Sequence, residues 1–166
     1  MLNSLGPLGG VRLGPPGQEY ATVWGWRVPG TSLSVRLHHW YGSDDQRAYH
    51  SHPQWFCTLV LWGGYVDHFQ LDPDTAGLYG SDHDWEVLRW LSFRRRGADY
   101  RHYVVPRTRH VWTLLLFGGP RQRWDFWDKQ TGRRYKRDKW FAERGHHTQD
   151  GSPPVRLRPD GSVIDS

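Results

Sequence analysis

The chain has 166 residues, 22 Lys and Arg against 17 Asp and Glu, a formal net charge of +5 and a single cysteine, Cys57. A chain this long can bury a core as one domain without disulfides or structural metal, and one cysteine excludes an internal disulfide framework and suits a reducing cytoplasm. No apolar run approaches the roughly 20 residues of a membrane-spanning helix and the first residues lack the apolar stretch of a signal peptide, so a cytoplasmic protein is expected.

Aromatic residues dominate, with 11 Trp, 8 Tyr and 6 Phe, beside 19 Gly and 11 Pro. Rings fit pleated, half-buried surfaces while Gly and Pro punctuate turns, which favours an all-β sandwich or barrel. Residues 1–19 carry Gly6-Pro7, Gly9-Gly10 and Gly14-Pro15-Pro16-Gly17 and too little apolar surface for a strand, so an irregular N-terminal arm is expected. Tyr20–Arg27 and Ser32–Tyr41 read as strands about the turn Pro29-Gly30, and Leu33, Val35, Leu37 and His39 share one face of the second. After the turn Gly42–Asp45 comes Arg47-Ala48-Tyr49-His50-Ser51-His52-Pro53, then the strand Trp55–Trp62. Gly63-Gly64 should turn sharply and return Tyr65–Gln70 as its hairpin partner.

Residues 71–84 are rich in turn formers and read as an excursion that shapes one end of the barrel. Trp85–Phe93 follows as a strand, Arg94-Arg95-Arg96-Gly97 as a basic turn, Tyr100–Val105 as a short strand and His110–Phe117 as a long one ending in a second Gly pair. Arg121–Trp127 is the last expected strand. Trp140-Phe141 reads as a short helical turn docked on the body, which places the barrel at 20–141 and an extended or disordered polar tail at 142–166.

His50 and His52 lie two residues apart on an extended segment, so both imidazoles point to one side. A third ligand must come from a distant strand, and His102 qualifies, sharing a face with Tyr100 and Val104. His39 and His110 compete, each on an otherwise apolar strand face, while His83, His146 and His147 fall in loop or tail sequence and read as solvent-exposed. Asp44, Asp45 and Asp67 are candidates to orient the imidazoles. Tyr49, Tyr65, Tyr100 and Tyr103 offer phenolic donors, and Arg36, Arg47, Arg89 and Arg101 offer clamps for an anionic substrate. Of these, Arg47, Tyr49 and Tyr100 are singled out as catalytic.

The pattern Gly42 … His50-Ser51-His52 … Gly63, then Arg96-Gly97 … His102, resembles the two motifs of the cupin superfamily. Ser43-Asp44-Asp45, Leu61-Trp62-Gly63-Gly64-Tyr65, Val111-Trp112-Thr113-Leu114 and Trp124-Asp125-Phe126-Trp127 resemble small uncharacterised cupins of tailed phages and actinobacteria. The resemblance spans residues 33–127 and implies a single-domain jelly-roll β-barrel with a divalent metal held by His50, His52 and His102. It departs from the superfamily where a glutamate is expected, because that window holds Phe56 and Cys57. Three neutral imidazoles leave the ion its full charge and open positions, as in thiol-dioxygenase-like cupins. Fe(II) is therefore favoured, with Zn, Mn or Ni as alternatives. Cys57 can replace the glutamate as a thiolate or be inert core.

The expected function is Fe(II)-dependent oxygenase or dioxygenase chemistry on a small molecule. The alternatives are a redox-neutral isomerase, epimerase or lyase, and a non-catalytic module for a metabolite or nucleic acid. The basic, aromatic stretch from Arg121 to Trp140 suits a nucleic acid, since cations follow phosphates while rings stack on bases. A homodimer is implied by the resemblance alone.

Overall fold

The computed structural model describes residues 10–13, 19–44, 47–71, 83–120, 122–136 and 139–140. Asp45, most of the 71–84 excursion, Phe141, His146, His147 and the tail at 142–166 lie outside the described residues.

The strands are β1 (Val11–Leu13), β2 (Ala21–Arg27), β3 (Ser34–Trp40), β4 (Ala48–His50), β5 (Phe56–Trp62), β6 (Gly64–Gln70), β7 (His83–Arg89), β8 (Phe93–Arg96), β9 (His102–Pro106), β10 (Val111–Phe117), β11 (Asp125–Asp128) and β12 (Arg134–Lys136). They form two antiparallel sheets in the orders β1-β2-β3-β10-β5-β8 and β12-β11-β4-β9-β6-β7. The central strands of the first sheet, β3, β10 and β5, are long and rich in β-branched and aromatic residues, which fill both faces of a pleated surface.

Cross-strand register stacks inward-facing residues into rows across the first sheet. His38 stands opposite Val23 on one side and Thr113 on the other. One step along, Arg36 faces Leu115, which faces Thr58, which faces Arg94. The second sheet sets Phe126 opposite His50 and His50 opposite His102. A core of Tyr20, Ala21, Trp40, Val60, Tyr65, Leu88, Val104 and Val111 joins the two sheets. Ala48, Phe126 and Tyr135, on the same face of the second sheet as His50, bury Trp140 completely, and Lys139 and Trp140 are helical at the expected docked turn.

Four expectations change. Val11–Leu13 is a strand paired with Leu13 opposite Ala21, so this part of the N-terminal arm is regular. The hairpin at Gly63-Gly64 does not form: β5 pairs with β10 and β8, while β6 pairs with β7 and β9. Gly63, at φ 74°, carries the chain from one sheet to the other instead, and it runs so close to the β9–β10 connection that a Cβ there would lie 2.4 Å from the His110 carbonyl oxygen. Trp85–Phe93 is two strands rather than one, turned at Leu91 with φ 61°, and the arginines read as a basic turn form β8 beside β5. The last strand begins at Asp125, and β12 pairs with it beyond.

Candidate metal centre

Strand alternation places the histidines. On β4, Ala48, Tyr49 and His50 are all buried, but Tyr49 faces one side of the sheet and His50 the other. His50 and His102 sit directly opposite each other on β4 and β9, and His52 arrives just beyond the end of β4. One ligand atom from each of the three imidazoles lies within 4.8 Å of the others. His52 Nε2 and His102 Nε2 are 3.0 Å apart.

The other ring nitrogens fix which atoms face the cluster. Asp67 on β6, 3% exposed, accepts a 2.6 Å hydrogen bond from His102 Nδ1–H, which leaves the His102 Nε2 lone pair directed at the cluster. Asp67 in turn accepts 2.9 Å from the Tyr100 hydroxyl and lies 3.6 Å from the Arg96 guanidinium. His50 Nδ1 stands 3.2 Å from Asp44 Oδ2, outside hydrogen-bond geometry. Burial first, and the neighbouring imidazoles second, hold His50 and His52 well below the usual histidine pKa, so both are neutral, as ligation requires. Burial, with the Asp67 charge behind it, raises the Tyr100 phenol, which stays a donor.

The cluster opens on a cavity of about 100 Å³ between the sheets, room for several waters or a small molecule. Phe56, Phe117 and Trp124 wall it beside the histidines, with ring centroids 4.5, 5.9 and 5.8 Å from that of His52. Tyr20, Trp40, Val104 and Leu88 line it elsewhere, and Arg36, His38, Arg94 and Arg96 give it a basic side. Arg94 and Arg96 both pair with Glu86. Burial pulls Arg36 below its usual range and, with Arg36 alongside, takes His38 down to about 3.

The structure thus brings together His50, His52 and His102, with Asp67 and Tyr100 behind them. It does not bring Arg47 or Tyr49 to the cavity. The Arg47 guanidinium stands 5.5 Å from the Trp140 ring centroid, and Tyr49, turned outward by alternation, lies against Tyr103 and Lys129. Cys57 faces away as well, since its neighbours Phe56 and Thr58 are the ones that line the cavity. His39 and His110 meet outside the barrel, 2.9 Å apart, with His39 stacked on Trp112. His83 is exposed, on β7 rather than in a loop. Among the other arginines named from sequence, Arg36 alone lines the cavity. Arg101 stacks over Trp127 and bonds Gln70, and Arg89 is exposed at the end of β7. His38, Arg94 and Arg96 are not legible as site residues from sequence, although spacing of two from Arg36 and from each other is the available signal.

No family model matches the sequence, and no curated relative matches it. The fold is similar to that of oxalate decarboxylase from Bacillus subtilis, at 11% identity and a TM-score of 0.54, over 81% of this chain and 31% of that one. It is similar also to Fe(II) HppE, at 10% identity and a TM-score of 0.51, over 66% of this chain and 55% of that one. The chain therefore spans well short of the full length of either. Two facing antiparallel sheets, with a histidine pair at the end of one strand and a third histidine on its neighbour, give this chain the cupin fold.

Proposed function

We propose that the chain is a metal-dependent cupin enzyme in which His50, His52 and His102 hold one divalent ion, Fe(II) before Zn, Mn or Ni. The observation that carries this reading is the convergence of three imidazole nitrogens within 4.8 Å, with the far nitrogen of His102 tied to Asp67. The donor set fits such an ion: neutral nitrogen ligands, a carboxylate behind one of them, and an apolar wall. When bound, the ion supplies a Lewis acid and, as Fe(II), a means of activating dioxygen for oxidation of a small molecule.

The chain's own residues do the rest. Asp67 holds the proton on His102 Nδ1 and keeps the ring in one orientation, and Tyr100 acts through Asp67 rather than on substrate. Phe56, in the window where the superfamily has a glutamate, packs edge-on against His52 and keeps water from that side. Arg47 and Tyr49, neither of which lines the cavity, take no part.

Metal analysis of protein purified without an affinity tag tests the reading. Wild type should carry near-stoichiometric metal, and His50→Ala and His102→Ala should each lose most of it. Unchanged content in both variants would sink the assignment. Oxygen uptake during turnover then separates dioxygenase chemistry from a redox-neutral isomerase, epimerase or lyase, and single-stranded DNA binding that survives chelation would favour the non-catalytic alternative. A homodimer belongs to the same proposal. Light scattering should return twice the 19.5 kDa chain mass.

A further inference from the structure

Arg36 and His38 lie two apart on β3, so both side chains enter the cavity from the first sheet, facing the histidines that enter from the second. His38 is 6% exposed, and neither of its ring nitrogens has a hydrogen-bond partner among the described residues. An unpaired buried polar group costs about 1–3 kcal/mol, which a fold does not carry at both nitrogens of one ring without return. The Arg36 guanidinium lies 4.3 Å over the Phe117 ring, and that ring is 5.9 Å from His52. The cavity's other cations, Arg94 and Arg96, pair with Glu86, whereas Arg36 has no carboxylate partner among the described residues.

We propose that Arg36 and His38 form the anion subsite of this cavity, and that the substrate is a small organic acid whose carboxylate they hold while its carbon body extends toward His50, His52 and His102. This rests on the reading of the three histidines as the reactive centre. A guanidinium fork matches the two oxygens of a carboxylate, and the neutral His38 ring donates a further N–H. One cation on this wall without a carboxylate partner among the described residues matches the single charge of a carboxylate better than a phosphate, which carries about −1.5 to −2. The walls of Leu115, Phe117 and Val23 suit an apolar carbon body.

Calorimetry on the full chain, both metal-loaded and after chelation, with acetate, propanoate and butanoate against their amides and against inorganic phosphate, tests this. The acids should bind about ten-fold or more tightly than the amides, as expected for hydrogen bonds to a charged group. Arg36→Met should abolish that preference and His38→Gln should weaken it, with metal content unchanged in both. Equal binding of acids and amides by wild type, tighter binding of phosphate, or no binding of any acid at millimolar concentration would overturn the proposal. These comparisons need no variant, so a failure of Arg36→Met to fold leaves the test intact. Acid preference in a chain that takes up no metal would refute the metal centre and leave the anion subsite standing, and metal uptake without acid preference would do the reverse.

Discussion

The carboxylate of Asp67 is the residue on which the candidate centre turns, because it gathers the His102 N–H, the Tyr100 hydroxyl and the Arg96 guanidinium at one buried point. Replacing it by Asn keeps the shape but removes the charge that favours the Nδ1–H tautomer. Asp67→Asn should weaken metal affinity by about 10–100-fold, while Tyr100→Phe, which removes only a donor to Asp67, should cost less. Competition against a chelator of known affinity measures both, and equal affinities for Asp67→Asn and wild type would remove Asp67 from the account. His50, His52 and His102 are legible from alternation and from the family resemblance, and Asp67 is among the candidates to orient them. His38 is not legible, because the apolar face of β3, the one with His39, is the face that sequence reasoning turns inward. That face lies outside, under Trp24 and Trp112, and the polar face of Arg36 and His38 turns inward because the interior here is a cavity.

Elements are legible wherever a single pleated strand runs between turn formers, as in β2, β3, β5 and β10. Pairing is less legible, because it depends on where the chain changes sheet. A Gly pair marks a sharp turn, but whether the next strand folds back or crosses over is decided by what the turn packs against. Here Gly63 is pressed on the His110 carbonyl. Gly63→Ala combines a left-handed backbone with that close approach, so it should destabilise the fold by at least about 1–3 kcal/mol. Gly30→Ala, also at positive φ but with open space around its Cβ position, isolates the backbone part and should cost less. Urea midpoints of the two variants check this, and a larger loss for Gly30→Ala would contradict the close packing at the sheet crossing. β7 and β8 merge in the sequence because Leu91, an aliphatic residue at φ 61°, gives no turn signal of its own.

At the scale of the whole molecule, the buried histidines make stability depend on pH. His38 has a folded pKa of about 3 against the ordinary histidine value of 6.5, so below about pH 6.5 the unfolded chain takes up a proton that the folded chain refuses. Its contribution is fully present above that pH and declines as pH falls toward 3, by about 1.4 kcal/mol per pH unit. His50 and His52 act in the same direction once metal is removed. The urea midpoint of chelated protein should therefore drop between pH 7.5 and 5, and less steeply in His38→Gln. Equal midpoints at the two pH values would show that these rings are hydrated rather than buried. Among the described residues no helix is long and apolar enough to cross a membrane, and the strands instead close around the cavity that holds the candidate centre. The most direct test of the central claim is an anomalous-difference map from crystals of the untagged protein, with data on both sides of the absorption edge of the bound metal. A single peak within bonding distance of His50, His52 and His102, with Cys57 turned away, is the result expected. An empty cluster in protein that carries metal, or a peak elsewhere in the barrel, would contradict it.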